Sequence, residues 1–210
     1  ITLSSADFVA LEDGNHDLNY KLVGHGGDAA SGNFTGAINV TAVNDIDLIG
    51  GINDVDFAQI GHGGSNSSGS FNADIAGSGA LAGVNVTSTA GAITVNGGRI
   101  NQSNNDGRRA YAQIGLGGYN SNSTLDADIS VSAATGLDLE GGGRDHNYAL
   151  IGNGGDLADG DKSGDIYVTT AAGNFVIQGG RSHELNAAQI GHGGFRATGN
   201  AAGSIEVDVQ

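Results

Sequence analysis

The sequence predicts an all-β chain wound into a parallel β-helix, a β-solenoid of about five stacked repeats of ~37 residues, one of them longer. Three observations predict it. One eight-residue block returns five times. Short runs of alternating apolar residues sit at fixed offsets from that block. Gly-rich turns separate these runs, in a chain with 39 Gly and no Pro among 210 residues.

The block reads Tyr20-Lys21-Leu22-Val23-Gly24-His25-Gly26-Gly27 at its first occurrence and Tyr111-Ala112-Gln113-Ile114-Gly115-Leu116-Gly117-Gly118 at its third. Its anchoring glycine falls at Gly24, Gly61, Gly115, Gly152 and Gly191, at intervals of 37, 54, 37 and 39 residues. Fourteen residues after each anchor stands an isoleucine: Ile38, Ile75, Ile129, Ile166 and Ile205. Most begin an alternation, as in Ile38/Val40, Ile129/Val131 and Ile166/Val168. A second alternating pair follows at Ile46/Leu48, Leu137/Leu139 and Phe175/Ile177. Period-two alternation marks strands with one buried face, and Gly-rich stretches between them are turns. No segment carries an apolar stripe of helical period.

The repeat is therefore strand, turn, strand, Gly-Gly turn, strand, Gly-rich turn. Three strands per repeat fit one triangular coil, and two smaller coils per repeat fit the same spacing. Ile38, Ile129, Ile166 and Ile205 are expected to stack inside, with Ile60, Ile114, Ile151 and Ile190 on the third strand. Lys21 stands where other copies carry Ala, so that position is expected to be exposed or frayed. The missing Pro fits this architecture, because a strand inside a stack needs its N–H for the neighbouring rung.

The third copy is 17 residues longer, since its interval is 54 rather than 37. The extra length is placed near 76–84 and 99–109, as loops outside the coil. The loop from Arg99 to Arg109 is polar and holds three of the eight cationic residues. It is the first place to look for local binding, beside the plainer reading of a tolerated surface insertion.

Composition narrows the partners. A formal net charge of −15 argues against nucleic acid and against anionic membrane surfaces. The absence of Cys excludes disulfides and thiolate metal sites. No apolar run approaches the ~18 residues of a membrane span.

Four sets of residues are weighed as sites. His25, His62 and His192 share one repeat position, so their imidazoles align along the axis as metal ligands would; Leu116 and Asn153 in the same column favour a tolerant turn position. Asp159, Asp161, Ser163 and Asp165 resemble the first half of a calcium loop, with oxygen ligands at alternate positions. Thr170 stands where the closing carboxylate belongs, so an acidic surface turn is the competing reading. Arg99, Arg144 and Arg181 each follow a Gly-Gly pair, as charge balance or as a partner contact. Thr41, Thr87, Thr89, Thr169 and Thr170 are scattered and are not expected to fill one column. No nucleophile elbow, cysteine nucleophile or singled-out carboxylate pair is present, so no catalytic residue is expected and the chain does not read as an enzyme.

The repeated Tyr-Ala-Gln-Ile-Gly-His-Gly-Gly block, with its Gly-x-Ile-x-Val and Gly-Gly-Arg companions, resembles repeats of large bacterial filamentous-haemagglutinin-like secreted exoproteins. The likeness runs along the whole chain. It implies a right-handed β-helix, two-partner secretion, a bacterial surface or extracellular location, and a role in a stalk, filament or biofilm matrix. The function expected is a structural or adhesive segment of such a fibre. A glycan- or calcium-binding β-helix module is the alternative, and a β-helical polysaccharide-active enzyme the third reading. Ile1/Leu3 and Ile205/Val207 occupy the same strand of the repeat, as expected of a segment cut at a repeat boundary. Head-to-tail self-association, or continuation in a longer chain, follows as the expected partnership.

Overall fold

The computed structural model describes residues 1–12, 18–74, 82–98, 108–180 and 184–210. The first coil holds β1 (Thr2–Ser5), β2 (Val9–Leu11), β3 (Tyr20–Val23) and β4 (Ser31–Thr35). The second holds β5 (Ile38–Ala42), β6 (Ile46–Ile49), β7 (Phe57–Ile60) and β8 (Ser68–Asn72). The third holds β9 (Val84–Ser88), β10 (Ala92–Asn96), β11 (Tyr111–Ile114) and β12 (Asn122–Asp126). The fourth holds β13 (Ile129–Ala133), β14 (Gly136–Glu140), β15 (Tyr148–Ile151) and β16 (Lys162–Ser163). The fifth holds β17 (Ile166–Thr170), β18 (Asn174–Gln178), β19 (Ala188–Ile190) and β20 (Ala201–Ala202), and β21 (Ile205–Val209) opens a sixth.

Each strand pairs in parallel with its counterpart one coil away, which makes four sheets running along one axis. The chain is a parallel β-solenoid with one coil per repeat. The expected triangle of three strands is corrected to four. The additional strand is β4 and its copies, where Ser, Gly and Asn surround a single large inward residue such as Phe34, Phe71 or Leu125. That composition carries no alternating β-branched signal.

Inward side chains stack in columns. Ile38, Val84, Ile129 and Ile166 form one, fully buried, and Ile46, Ile93 and Leu137 form another. Ile60, Ile114 and Ile151 are buried as expected. Ile205 departs from expectation: β21 has a neighbour strand on one side only, and Ile205 is 52% exposed. Lys21 is partly buried beside Ala58, on the first coil.

The long repeat is absorbed without loss of register. Val84, expected in an insertion, pairs with Ile38 and takes the column place assigned to Ile75, which lies outside the described residues. Gly83 N–H donates to Ala73 O (3.0 Å), closing the base of the first loop. Of the second loop, 99–107 lies outside the described residues. Arg109, placed in that loop from the sequence, belongs to the coil itself: its φ of 62° matches Leu18, Val55, His146 and Leu185, one per coil. A second left-handed corner repeats at Ala29, Asn66, Asn120, Leu157 and Arg196. None of these ten residues is Gly. The conformation is held because corner N–H groups donate to the next coil, as Val55 does to Arg108 O (3.0 Å) and Asn66 to Tyr119 O (2.8 Å).

Candidate functional site

The recurring block builds a turn in which both faces of a strand are buried. Along β11, Ala112 and Ile114 face the solenoid interior, and Tyr111 and Gln113 lie beneath the turn that follows. The anchoring glycine is required by the axial stack. A Cβ at Gly24, Gly61, Gly115 or Gly152 would overlap the carbonyl oxygen of the corresponding glycine one coil on.

Two ladders run under this turn. Tyr20, Phe57, Tyr111 and Tyr148 stack with ring centroids 4.8–4.9 Å apart and planes within 5°, the natural spacing of β-rungs. Ala187 ends the stack. Beside it, Gln59 Nε2 donates to Gly115 O and Gly117 O (both 3.0 Å), and Gln113 Nε2 donates to Leu116 O (2.9 Å) and Gly152 O (3.1 Å). The Gly117 and Leu116 carbonyls also accept backbone N–H groups, from Gly64 and Gly154 (each 2.8 Å), so there the amides add a second hydrogen bond.

The histidine column is neither a row of metal ligands nor a tolerant surface position. His25 is exposed, but His62, Leu116 and Asn153 point inward and are fully buried. His62 Nδ1 accepts the His25 N–H (3.0 Å), and its Nε2–H donates to Gly36 O (2.7 Å) across the coil. Asn153 reproduces this with an amide: Oδ1 accepts from Leu116 N–H (3.0 Å), and Nδ2 donates to Ala127 O (2.9 Å) and Ser163 O (2.8 Å). His192 repeats the imidazole version with Asn153 N–H (3.1 Å) and Gly164 O (2.8 Å). Each side chain thus completes a backbone rung. Burial lowers the His62 pKa from 6.5 to about 4, opposed by the Gly36 carbonyl and reinforced by His25 and the chain's amino terminus.

The calcium candidates each take a separate hydrogen-bond partner. Asp159 accepts from the Thr198 hydroxyl, Asp161 Oδ1 from Asn200 N–H (2.8 Å), and Asp165 Oδ1 from Ser204 N–H (2.7 Å), all on the next coil. Ser163 Oγ reaches back to Asp126 Oδ1 (2.8 Å). Asp165 belongs to an axial series: Asp74 Oδ2 accepts from Asp128 N–H, and Asp128 Oδ1 from Asp165 N–H, each at 2.7 Å. Burial raises the Asp74 carboxyl, with the Asp128 N–H opposing. Among the described residues, no three His, Cys, Asp or Glu side chains stand close enough to hold a metal ion.

Other features escaped sequence reading. Lys162 is buried in the column of Phe34, Phe71 and Leu125, its Nζ donating to Ala158 O (3.2 Å), Gly160 O (2.5 Å) and Thr198 O (2.7 Å). Asp156 is buried with Oδ2 2.8 Å from His146 Nδ1; burial raises its carboxyl and His146 opposes. The hollow beside them, bounded by Tyr148, Ala187 and Phe195, encloses about 20 Å³, room for little more than a water molecule. Arg144 is partly buried in the turn after β14, whereas Arg99 and Arg181 lie outside the described residues.

The threonines fill no column throughout, as expected, although three of them line up. Thr41, Thr87 and Thr169 share one outward column, with Ser4, Ser132 and Asp208 in the remaining rungs. Thr2, Asn39, Asn85 and Ser130 form the column beside it, and Asn85 Nδ2 donates to Asn39 Oδ1 (3.1 Å). Serine in place of threonine hid this face from a count of Thr alone. No protein-family description, no curated protein and no solved structure matches the chain.

Proposed function

We propose that this chain is a structural segment of an extracellular bacterial fibre or giant surface adhesin, secreted to the cell surface and continued head-to-tail by further coils or further copies. The observation that carries this reading is the uninterrupted axial pairing of all four sheets, reinforced by ladders of rings, amides and imidazoles inside the coil. Nearly every buried polar group named above bonds along the axis to the next coil. Such a molecule is a rod whose length scales with its coil number. The resemblance to secreted exoprotein repeats points to the same role. Electron microscopy and sedimentation of the protein test the reading. Rods one coil wide, lengthening with concentration or with added coils, are expected. A compact particle that stays monomeric and turns over a polysaccharide would overturn it.

A second reading is favoured by one observation. The outer face of β5, β9, β13 and β17 presents paired columns of hydroxyl and amide groups at rung spacing, with Tyr167 exposed at one end. Such a face suits an extended glycan of host or matrix origin. Micromolar binding on a glycan array, abolished by Thr87→Lys, would establish it. Calcium gains no comparable support, since Asp159, Asp161 and Asp165 already accept hydrogen bonds from the next coil.

A further inference from the structure

The side chains that stitch one coil to the next at the histidine position differ in one chemical respect. His62 closes the joint between coils one and two, Asn153 that between coils three and four, and His192 that between coils four and five. The geometry is shared: one atom accepts an N–H from the coil before, and another donates across the interior. An imidazole performs both tasks only when neutral, with its proton on Nε2. A second proton on Nδ1 removes the acceptor and sets two donors face to face. An amide has no such titration.

We infer that the His62 joint is released by acid, while the Asn153 joint holds. Protonated His62 would be a charge inside the coil, with the His25 ring stacked on it (centroids 5.0 Å apart). The charges acting on it are positive ones, from His25 and from the amino terminus of Ile1, which donates to Ala37 O (2.6 Å).

The sign follows from the His62 value. The open joint takes up a proton below pH 6.5, whereas the closed joint resists until about 4. Its stability is therefore complete above 6.5 and is lost progressively as pH falls toward 4. Between pH 7 and pH 5 the open population rises about twentyfold.

Backbone amide exchange on the whole chain at pH 7 and pH 5, corrected for the intrinsic pH dependence of exchange, tests this. Peptides covering β3 and the His25 turn should lose protection by about twentyfold, and those joining β11 to β15 should keep it. His62→Asn, which copies the natural Asn153 stitch, should retain protection at pH 7 and remove the acid response at that joint. Equal losses in every coil, or an acid response unchanged by His62→Asn, would overturn the inference. Should that variant not fold, the His62 ring titration followed by NMR in the native protein decides: a midpoint near 4 supports it and one near 6.5 sinks it.

Discussion

A methyl group at Gly115 has nowhere to go, because the Gly152 carbonyl oxygen of the next coil occupies its place. Gly115→Ala is expected to cost more than about 3 kcal/mol, read as a fall in the urea midpoint. Gly191→Ala should cost less: the nearest atom to its Cβ is Ile205 Cδ1 at 3.4 Å, so backbone strain at φ 142° alone remains. Equal losses at the two positions would contradict the axial explanation of the anchor. Val55 shows the opposite economy. It holds φ at 61°, a conformation that β-branched residues avoid. Val55→Asn should stabilise by about 1 kcal/mol, since Asn adopts the same left-handed conformation at the other corner, at Asn66 and Asn120. A loss of stability would mean that the Val55 side chain matters more than its backbone.

At the scale of the strand, β16 stands apart from β4, β8 and β12. Its two residues replace five in β8 and β12, and its inward residue is Lys162 where others carry Phe or Leu. Burial lowers the Lys162 pKa from 10.5, with Asp159 and Asp161 opposing. A lowered lysine pKa means that the unfolded chain binds the proton more tightly, so this group opposes folding at neutral pH and opposes it less as pH rises to 10.5. Lys162→Met is therefore expected to match or exceed wild-type stability at pH 7, with the difference shrinking at alkaline pH. Lys162→Ala, which leaves a cavity, should cost about 2–3 kcal/mol. Chemical denaturation of the three proteins at pH 7 and pH 10 checks both statements. Met well below wild type at pH 7 would show that the three carbonyl bonds to Nζ outweigh the desolvation.

For the whole molecule, one coil per repeat has a direct consequence. β13 and β17 pair Ile129 with Ile166, and Asp128 and Asp165 precede them in equivalent turns. Deleting residues 129–165 therefore joins Asp128 to Ile166 with every column still in register. The product should fold with an unchanged all-β circular dichroism spectrum and be shorter by about 4.8 Å along its axis. Its unfolding midpoint should fall modestly, as nearest-neighbour stacking dictates. An unfolded product would show that the fourth coil holds the chain together in a way that stacking does not describe.

The sequence by itself determined the class of fold, the anchor position and the inward columns on β5, β7 and their copies. Those features are local: a period of two, a glycine and a fixed interval are visible without knowing what lies above or below. What only the tertiary structure decided is everything that runs between coils. The fourth sheet lacks a local pattern because Phe34, Phe71, Leu125, Lys162 and Ala201 share a column without sharing a chemistry. The left-handed corners fall on Leu, Val, Arg and His, whose φ is imposed by hydrogen bonds to residues some 36–53 positions away in sequence. The histidine column looked like a surface turn because interval counting cannot tell inward from outward where the chain bends. Asp159, Asp161 and Asp165 looked convergent because they alternate in sequence, yet each bonds along the axis. In a solenoid the strongest partner of a residue is its own counterpart one coil away, and that contact is written in no local window of the chain.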